Sequence, residues 1–331
     1  MNSGFAFRTG DYADPEAVEA AIRGRGMAFT VTEAGSYRSR LMQADVGGVW
    51  MQAADVSLPE IVEGNGPPGR IVLGFETIYG NSVRVNGLAP SADEAVLGSP
   101  DAPMRMRHGR GANWTTVAVP NEGFLSACRA VLGDDFRLAE DALHLVRPPP
   151  IVLSRLRHAH NIVREMASLT SPDLIAQRAG AVGAMLRRAV VDSVVPGRIV
   201  EESIALHRRR QVMARFDALL REEPEVPFQV SDVCEALAIP LRTLQAACGE
   251  FLGMGPKQYL VLRRLHLANR ALRRAGPADT SVTSVALRCG FWELGRFAGA
   301  YRALFGEPPS LTLASAQARA ENTSPKLARF A

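Results

Sequence analysis

Six histidines and four cysteines are the side chains best suited to metal or nucleophilic chemistry, and their spacing offers neither. A metal site needs imidazole, thiolate or carboxylate groups that converge. His108 stands in a stretch of β texture without an HxH partner. His158 and His160 fall on an expected helix, where side chains two apart point about 200° away from each other. Cys128, Cys234, Cys248 and Cys289 form no CxxC pair and read as free, mostly core residues. Gly64-Asn65-Gly66-Pro67-Pro68-Gly69 has the letter spacing of a phosphate-binding GxGxxG. Its two prolines remove N–H donors a phosphate would need, and no helix follows, so it reads as a turn. Neither a Walker A loop nor a nucleophile elbow occurs. The chain reads as a non-enzyme without cofactor or metal, and binding is the chemistry left to it.

The elements that would position a binding surface are announced by an internal repeat. Val230-x-x-Val233-Cys234-x-x-x-Ala238-Ile239 recurs 52 residues later as Val282-x-x-Val285-Ala286-x-x-x-Gly290-Phe291. Leu244-x-x-x-Cys248-x-x-Phe251-Leu252-Gly253-x-x-Pro256 recurs 53 residues later as Phe297-x-x-x-Tyr301-x-x-Leu304-Phe305-Gly306-x-x-Pro309. Each copy reads as helix, tight turn, second helix and Gly/Pro stop, the layout of a helix-turn-helix whose second helix enters the DNA major groove. Between the copies, Pro256 opens a helix that Gly276-Pro277 ends. Its roughly 19 residues at about 1.5 Å each give about 28 Å. Successive major grooves on one duplex face are about 34 Å apart, so a rod of this length can hold two reading helices in adjacent turns.

Residues from about 204 to 310 resemble the DNA-binding domain of the AraC/XylS family of bacterial transcription regulators. The carriers are Ala236-Leu237-Ala238-Ile239, Arg242-Thr243-Leu244-Gln245, Leu252-Gly253-x-x-Pro256-x-x-Tyr259-Leu260, Arg264-Leu265-x-x-Ala268, Val285-Ala286, Gly290-Phe291, Phe297, Tyr301 and Phe305-Gly306-x-x-Pro309-Ser310. More narrowly, Gly290-Phe291-Trp292-x-Leu294-Gly295-Arg296-Phe297-Ala298 with Leu311-Thr312-Leu313 resembles activators of ethanolamine-utilisation operons. The family pattern puts Leu241–Phe251 and Leu294–Phe305 in the groove. It implies DNA contacts from Arg242, Thr243, Gln245 and Ala246 in the first repeat. Arg pairs bidentately with guanine and Gln with adenine. The equivalent positions of the second repeat, Leu294, Gly295, Ala298 and Gly299, lack such side chains. There the resemblance implies apolar contact and shape fit, with phosphate anchoring by Arg296 and Arg302. Two departures stand out. Pro240 replaces a capping Ser, and Cys248 replaces an aromatic.

Upstream, residues 1–30 show little pattern. From Ser36 to Val119 short apolar runs alternate with turn residues, among them Val46–Met51, Arg70–Ile78 and an Asn86-Gly87 hairpin turn. This texture predicts an antiparallel β barrel or sandwich. The family commonly carries an N-terminal jelly-roll that binds a small effector and helps dimerise. Trp50, Met51, Phe75 and Trp114 are the candidate effector pocket, and filling the barrel is their alternative role. Helices are expected at 121–132, 154–169 and 173–191, the latter two with an apolar stripe that packs on the sheet or on a second copy.

The expected fold is therefore α+β, a cupin-like jelly-roll with a helical pair followed by an all-α double helix-turn-helix. The boundaries are 1–195 for the effector and dimerisation domain, 196–203 for a linker, 204–313 for the DNA-binding domain and 314–331 for a disordered tail. Charge agrees. From Glu201 onward 18 Lys and Arg face 13 Asp and Glu, net +5, against 20 and 21 before it, net −1. A basic C-terminal third suits a polyanion partner. No signal-peptide pattern opens the chain, and no apolar run approaches the roughly 18 residues of a membrane span. The reading is a cytoplasmic, nucleoid-associated transcription regulator, an activator in expectation. Its partners would be double-stranded DNA, a small-molecule effector, RNA polymerase and a second copy of itself. The rival readings are a β-barrel metalloenzyme with a DNA-binding appendage and a constitutive DNA-binding protein without ligand.

Overall fold

The computed structural model describes residues 4–78, 80, 83–140, 142–169, 171–195, 198–200, 203–223, 226–275 and 280–323. The chain divides into two compact units, Met1–Val31 with Ser36–His207, and Thr32–Gly35 with Arg208–Ala331.

The first unit is a two-sheet antiparallel sandwich. Its strands are β1 (Phe5–Tyr12), β2 (Arg25–Val31), β3 (Ser39–Val46), β4 (Val49–Val56), β5 (Glu60–Asn65), β6 (Arg70–Phe75), β7 (Arg84–Val85), β8 (Ala95–Gly98), β9 (Pro103–His108), β10 (Asn113–Pro120), β11 (Leu143–Arg147) and β12 (Arg198–Val200). The larger sheet runs β1-β3-β4-β10-β6-β8-β11-β12 and the smaller β2-β5-β9-β7. Helix α1 (Pro15–Ala21) links the first two strands, and α2 (Asn121–Leu132), α3 (Pro150–Met166) and α4 (Pro172–Asp192) complete the unit.

Strand alternation divides the larger sheet into two working faces. Met42, Ala44, Val46, Met51, Leu73, Phe75 and Val117 point to one side, where they share a core with Phe124, Leu156, Val163, Met166, Leu186 and Val190 from α2, α3 and α4. The apolar stripe of the helical pair is thus spent on its own sheet. Burying such side chains contributes about 1.5–3 kcal/mol each. A second core with Phe29, Val62, Met106 and Trp114 fills the space between the sheets.

Several expectations change. Residues 1–30, whose sequence shows little pattern and reads as an entry segment, instead contribute strands: β1 pairs with β3 from Phe5↔Val46 to Tyr12↔Ser39. An edge strand needs no continuous apolar run, and β1 alternates half-buried with exposed residues. Val46–Met51 is a hairpin rather than one strand, because Gly47 and Gly48 take φ of 57° and 81° and reverse the chain. Asn86 and Gly87 make the expected tight turn, with φ of 48° and 81°. Within 196–203, expected as a linker, Arg198–Val200 forms β12 and pairs with β11; 196, 197, 201 and 202 lie outside the described residues.

The second unit is all helical: α5 (Ile204–Glu222, which begins just before the division), α6 (Val230–Leu237), α7 (Leu241–Leu252), α8 (Pro256–Arg273), α9 (Val282–Arg288), α10 (Leu294–Phe305) and α11 (Pro309–Thr323). The repeat is reproduced bond for bond. Ile239 N–H donates to Cys234 O at 3.0 Å in the first turn, and Phe291 N–H donates to Ala286 O at 2.9 Å in the second. Gly253 and Gly306 close α7 and α10 in left-handed conformation, and Pro256 and Pro309 open the next helices. The 18 residues of α8 span about 27 Å. The expected stop at Gly276-Pro277 lies outside the described residues. Residues 314–323 are no tail but continue α11, whose Ala316 is buried and whose Thr312 bonds to Tyr301; 324–331 lie outside the described residues.

Candidate nucleic-acid interface

A reading helix must bury one stripe to be held and expose another to reach a duplex. In α7, Leu244, Ala247, Cys248, Phe251 and Leu252 are buried. Arg242, Gln245 and Ala246 are exposed and Thr243 is half-buried. The 3.6-residue period therefore puts Arg242, Gln245 and Ala246 on one outer face. Among the described residues nothing pairs with the Arg242 guanidinium. In α10, Phe297 and Tyr301 are buried while Leu294, Gly295, Arg296, Gly299 and Arg302 are exposed, with Ala298 half-buried.

The second repeat is anchored by a run of rings. Centroids of Phe291 and Phe297 are 4.9 Å apart, Phe297 and Tyr301 5.6 Å, Tyr301 and Phe305 4.6 Å. The buried Tyr301 hydroxyl accepts from Asn269 Nδ2 at 2.7 Å and donates to Thr312 Oγ1 at 3.0 Å, and burial raises its pKa. Arg264 of α8 donates to Gly290 O at 3.1 Å and covers the Phe291 ring at 5.0 Å; burial lowers its pKa. The first repeat has Cys248 where this one has Tyr301. Beyond Phe251, its aromatic rings come from outside the repeat, with Phe216 and Tyr259 buried 5.9 Å apart. Arg209 of α5 reaches Glu250 of α7 at 2.6 Å, and Arg263 of α8 reaches Leu220 O at 2.8 Å. Both reading helices are thus tied to flanking ones.

Helix starts differ in kind. Ser281 and Ser284 cap α9 reciprocally, and the Asp232 carboxylate accepts from Gln229 N–H at the start of α6. Neither Pro240 before α7 nor Glu293 before α10 supplies a side-chain cap. Pro240 opens α7 through fixed backbone angles, φ −63° and ψ 147°, as expected for a proline in place of Ser. The first-turn amides of both helices keep no capping side chain, and an N-terminus so left favours an anion.

Two features go beyond what the sequence pattern indicates. Arg296 is not free: Nη1 donates to Glu293 Oε1 at 3.0 Å and Nε lies 2.9 Å from Oε2. The pair is exposed and so weak that a phosphate can compete with it. Trp292, immediately before α10, is 78% exposed, the extreme among the described large apolar side chains. Its one signal in the sequence is an aromatic outside the repeat's buried positions.

The other candidate site divides by strand parity. A cavity of about 100 Å³ between the sheets is lined by Trp50 and Trp114 with Met27, Met104, Met106 and Phe29. Met51 and Phe75 do not line it. They are fully buried on the opposite face, under the helices. Trp114 lies across Gly74, where a Cβ would meet its ring at 2.5 Å. Arg70 and Arg23 stack over Trp50 at 3.8 and 5.2 Å, and its Nε1 donates to Asp45 at 3.1 Å. Among the described residues no group of three His, Cys, Asp or Glu side chains could hold a metal ion, and no helix is long and apolar enough to cross a membrane.

Comparison with known proteins agrees with this geometry. Residues 233–315 match the family described as "Helix-turn-helix domain". The chain is 37% identical over 91 residues to the "Probable thc operon regulatory protein" of Rhodococcus erythropolis, covering 28% of this chain and 27% of that one. It is 33% identical over 99 residues to the "XylDLEGF operon transcriptional activator 2" of Pseudomonas putida, covering 30% and 63%. The solved structure of "a probable AraC family transcriptional regulator" from Rhodopseudomonas palustris CGA009 is 32% identical, with 34% of this chain and 98% of that one covered and a TM-score of 0.29. The helical unit is thus similar to the helix-turn-helix domains of known transcription regulators. The chain spans 27% and 63% of the two curated relatives' lengths.

Proposed function

We propose that this protein is a sequence-specific transcription regulator, an activator, whose helical unit binds promoter DNA and whose β unit binds a small effector. The observation that carries the reading is the repeated turn, with identical hydrogen bonding 52 residues apart, presenting two reading helices that flank a rod of about 27 Å. In this reading Arg242, Thr243, Gln245 and Ala246 read bases. Leu294, Gly295, Ala298 and Gly299 make close apolar contact, and Arg296 and Arg302 hold phosphates. The cavity beside Trp50 and Trp114 holds the effector. Occupancy alters how two copies, and RNA polymerase, meet at the promoter. The likeness to ethanolamine-utilisation activators lies in residues 290–313, within the DNA-binding unit, and does not bear on the cavity.

A randomised duplex library selected on the full chain tests the reading. The expected product is two short elements about 10 base pairs apart, the first better defined than the second. Recovery of one isolated element, or no enrichment, would sink it. Arg296→Ala should weaken binding on every sequence and make the slope of log affinity against log salt shallower by about one unit. An unchanged slope removes Arg296 from the phosphate contacts.

A further inference from the structure

At one end of β5 the Glu60 carboxyl is fully buried. Its Oε2 accepts from the Tyr37 hydroxyl at 3.1 Å, and its Oε1 lies 3.0 Å from His108 Nδ1, on the residue directly opposite in β9. A carboxyl at such depth needs hydrogen-bond partners, and Tyr37 and His108 supply them. The ring's tautomer sets what Nε2 offers: an acceptor when Nδ1–H donates to Glu60, a donor when Nδ1 accepts. In either tautomer Nε2 needs a partner of its own. That nitrogen is buried and has no hydrogen-bond partner among the described residues, and His108 itself lines the cavity. Native interiors seldom strand a polar atom, so the missing partner is informative.

We infer that His108 presents Nε2–H and that the cavity's ligand supplies its acceptor: an apolar molecule of about one ring bearing a hydrogen-bonding oxygen. The wall provides the rest of the recognition. Trp50, Trp114, Met27 and Met106 offer aromatic and polarisable surface in a space of the same order as the roughly 150 Å³ known to admit benzene. The inference rests on the effector reading above and adds the ligand's chemistry to it. The oxygen can belong to a neutral carbonyl or to a carboxylate, since either accepts.

The test titrates the full-length chain with ethylbenzene, acetophenone and benzoate, near-isosteric probes that differ in the acceptor. At least one oxygen-bearing probe should bind tenfold or more tighter than ethylbenzene, and which one does so tells a neutral from an anionic ligand. Glu60→Gln with His108→Phe, which removes the donor without stranding a carboxylate, should abolish that preference while ethylbenzene still binds. His108→Gln, whose amide can reach the Nε2 position, should restore part of it. Equal affinity of all three probes for the unaltered protein would assign the donor to a buried water and overturn the inference, leaving the effector pocket standing. A double variant that folds and keeps the preference would overturn it equally. Failure of every probe to bind at millimolar concentration would remove both the inference and the effector reading.

Discussion

Gly290→Ala is expected to destabilise the helical unit by about 2–4 kcal/mol, from left-handed backbone strain plus overpacking. Gly290 sits at φ 75°, and a Cβ there would lie 2.4 Å from Pro227 Cβ and 3.2 Å from Arg264 Nη1. The proline ring has little freedom to retreat. The arginine is held by its bond to Gly290 O and its place over Phe291. Ala238 occupies the same point of the first repeat at φ 51°, but it is exposed and carries its methyl group into open surroundings. Ala238→Gly should therefore act in the opposite direction, relieving strain for a net gain of about 0.5–1 kcal/mol after the glycine's greater chain entropy is counted. Amide hydrogen exchange of the full chain distinguishes the two. Gly290→Ala should speed the most protected amides of α9 and α10 roughly 30- to 700-fold, at about 1.4 kcal/mol per decade. A loss below about 1 kcal/mol would mean that Pro227 moves aside and that the turn is not tightly held.

Much of this architecture is legible in the sequence because a helix-turn-helix is a local object. Val233 and Leu237 are one helical turn apart and Leu244 and Phe251 two, and the left-handed stop at Ala238 or Gly290 is set by neighbours in sequence. Two copies make the pattern visible despite Cys248 standing where Tyr301 does. The β unit is less legible, and its departures from expectation share one cause. Trp50 and Met51 are adjacent apolar residues, and a strand sends them to opposite faces. Only the larger sheet's partners decide which face looks at the smaller sheet and which at α2, α3 and α4. Phe75 falls on the unexpected side for the same reason. Residues 5–12 hide their strand because an edge with one solvated face carries Arg8 and Asp11 between its apolar positions. At the interface, spacing indicates the exposure of Arg242, Gln245 and Arg296, while the fork from Glu293 depends on rotamers that spacing does not encode.

Arg242→Ala should then lower affinity for the selected duplex about 5- to 150-fold, equivalent to about 1–3 kcal/mol, and relax discrimination at a single guanine. The side chain is suited to this because nothing among the described residues competes for it. Arg296, by contrast, must give up Glu293 before it can reach a phosphate. Gln245, the neighbour of Arg242 on the same face of α7, offers the adenine-type fork, so Gln245→Ala should relax a different position of the same element and leave the Arg242 position sharp. Arg242→Lys separates charge from geometry: a lysine keeps the positive charge but not the planar pair of donors, so affinity should recover only in part while discrimination stays lost. Binding curves for each variant against duplexes altered one base pair at a time provide the measurement. If Arg242→Ala weakens every duplex equally and flattens the salt slope by about one unit, the residue holds a phosphate and the exposed face of α7 does not read bases through it. Base-reading by a bidentate side chain would then fall to Gln245, beside Thr243 and Ala246, and the first element of the operator should shrink toward its adenine.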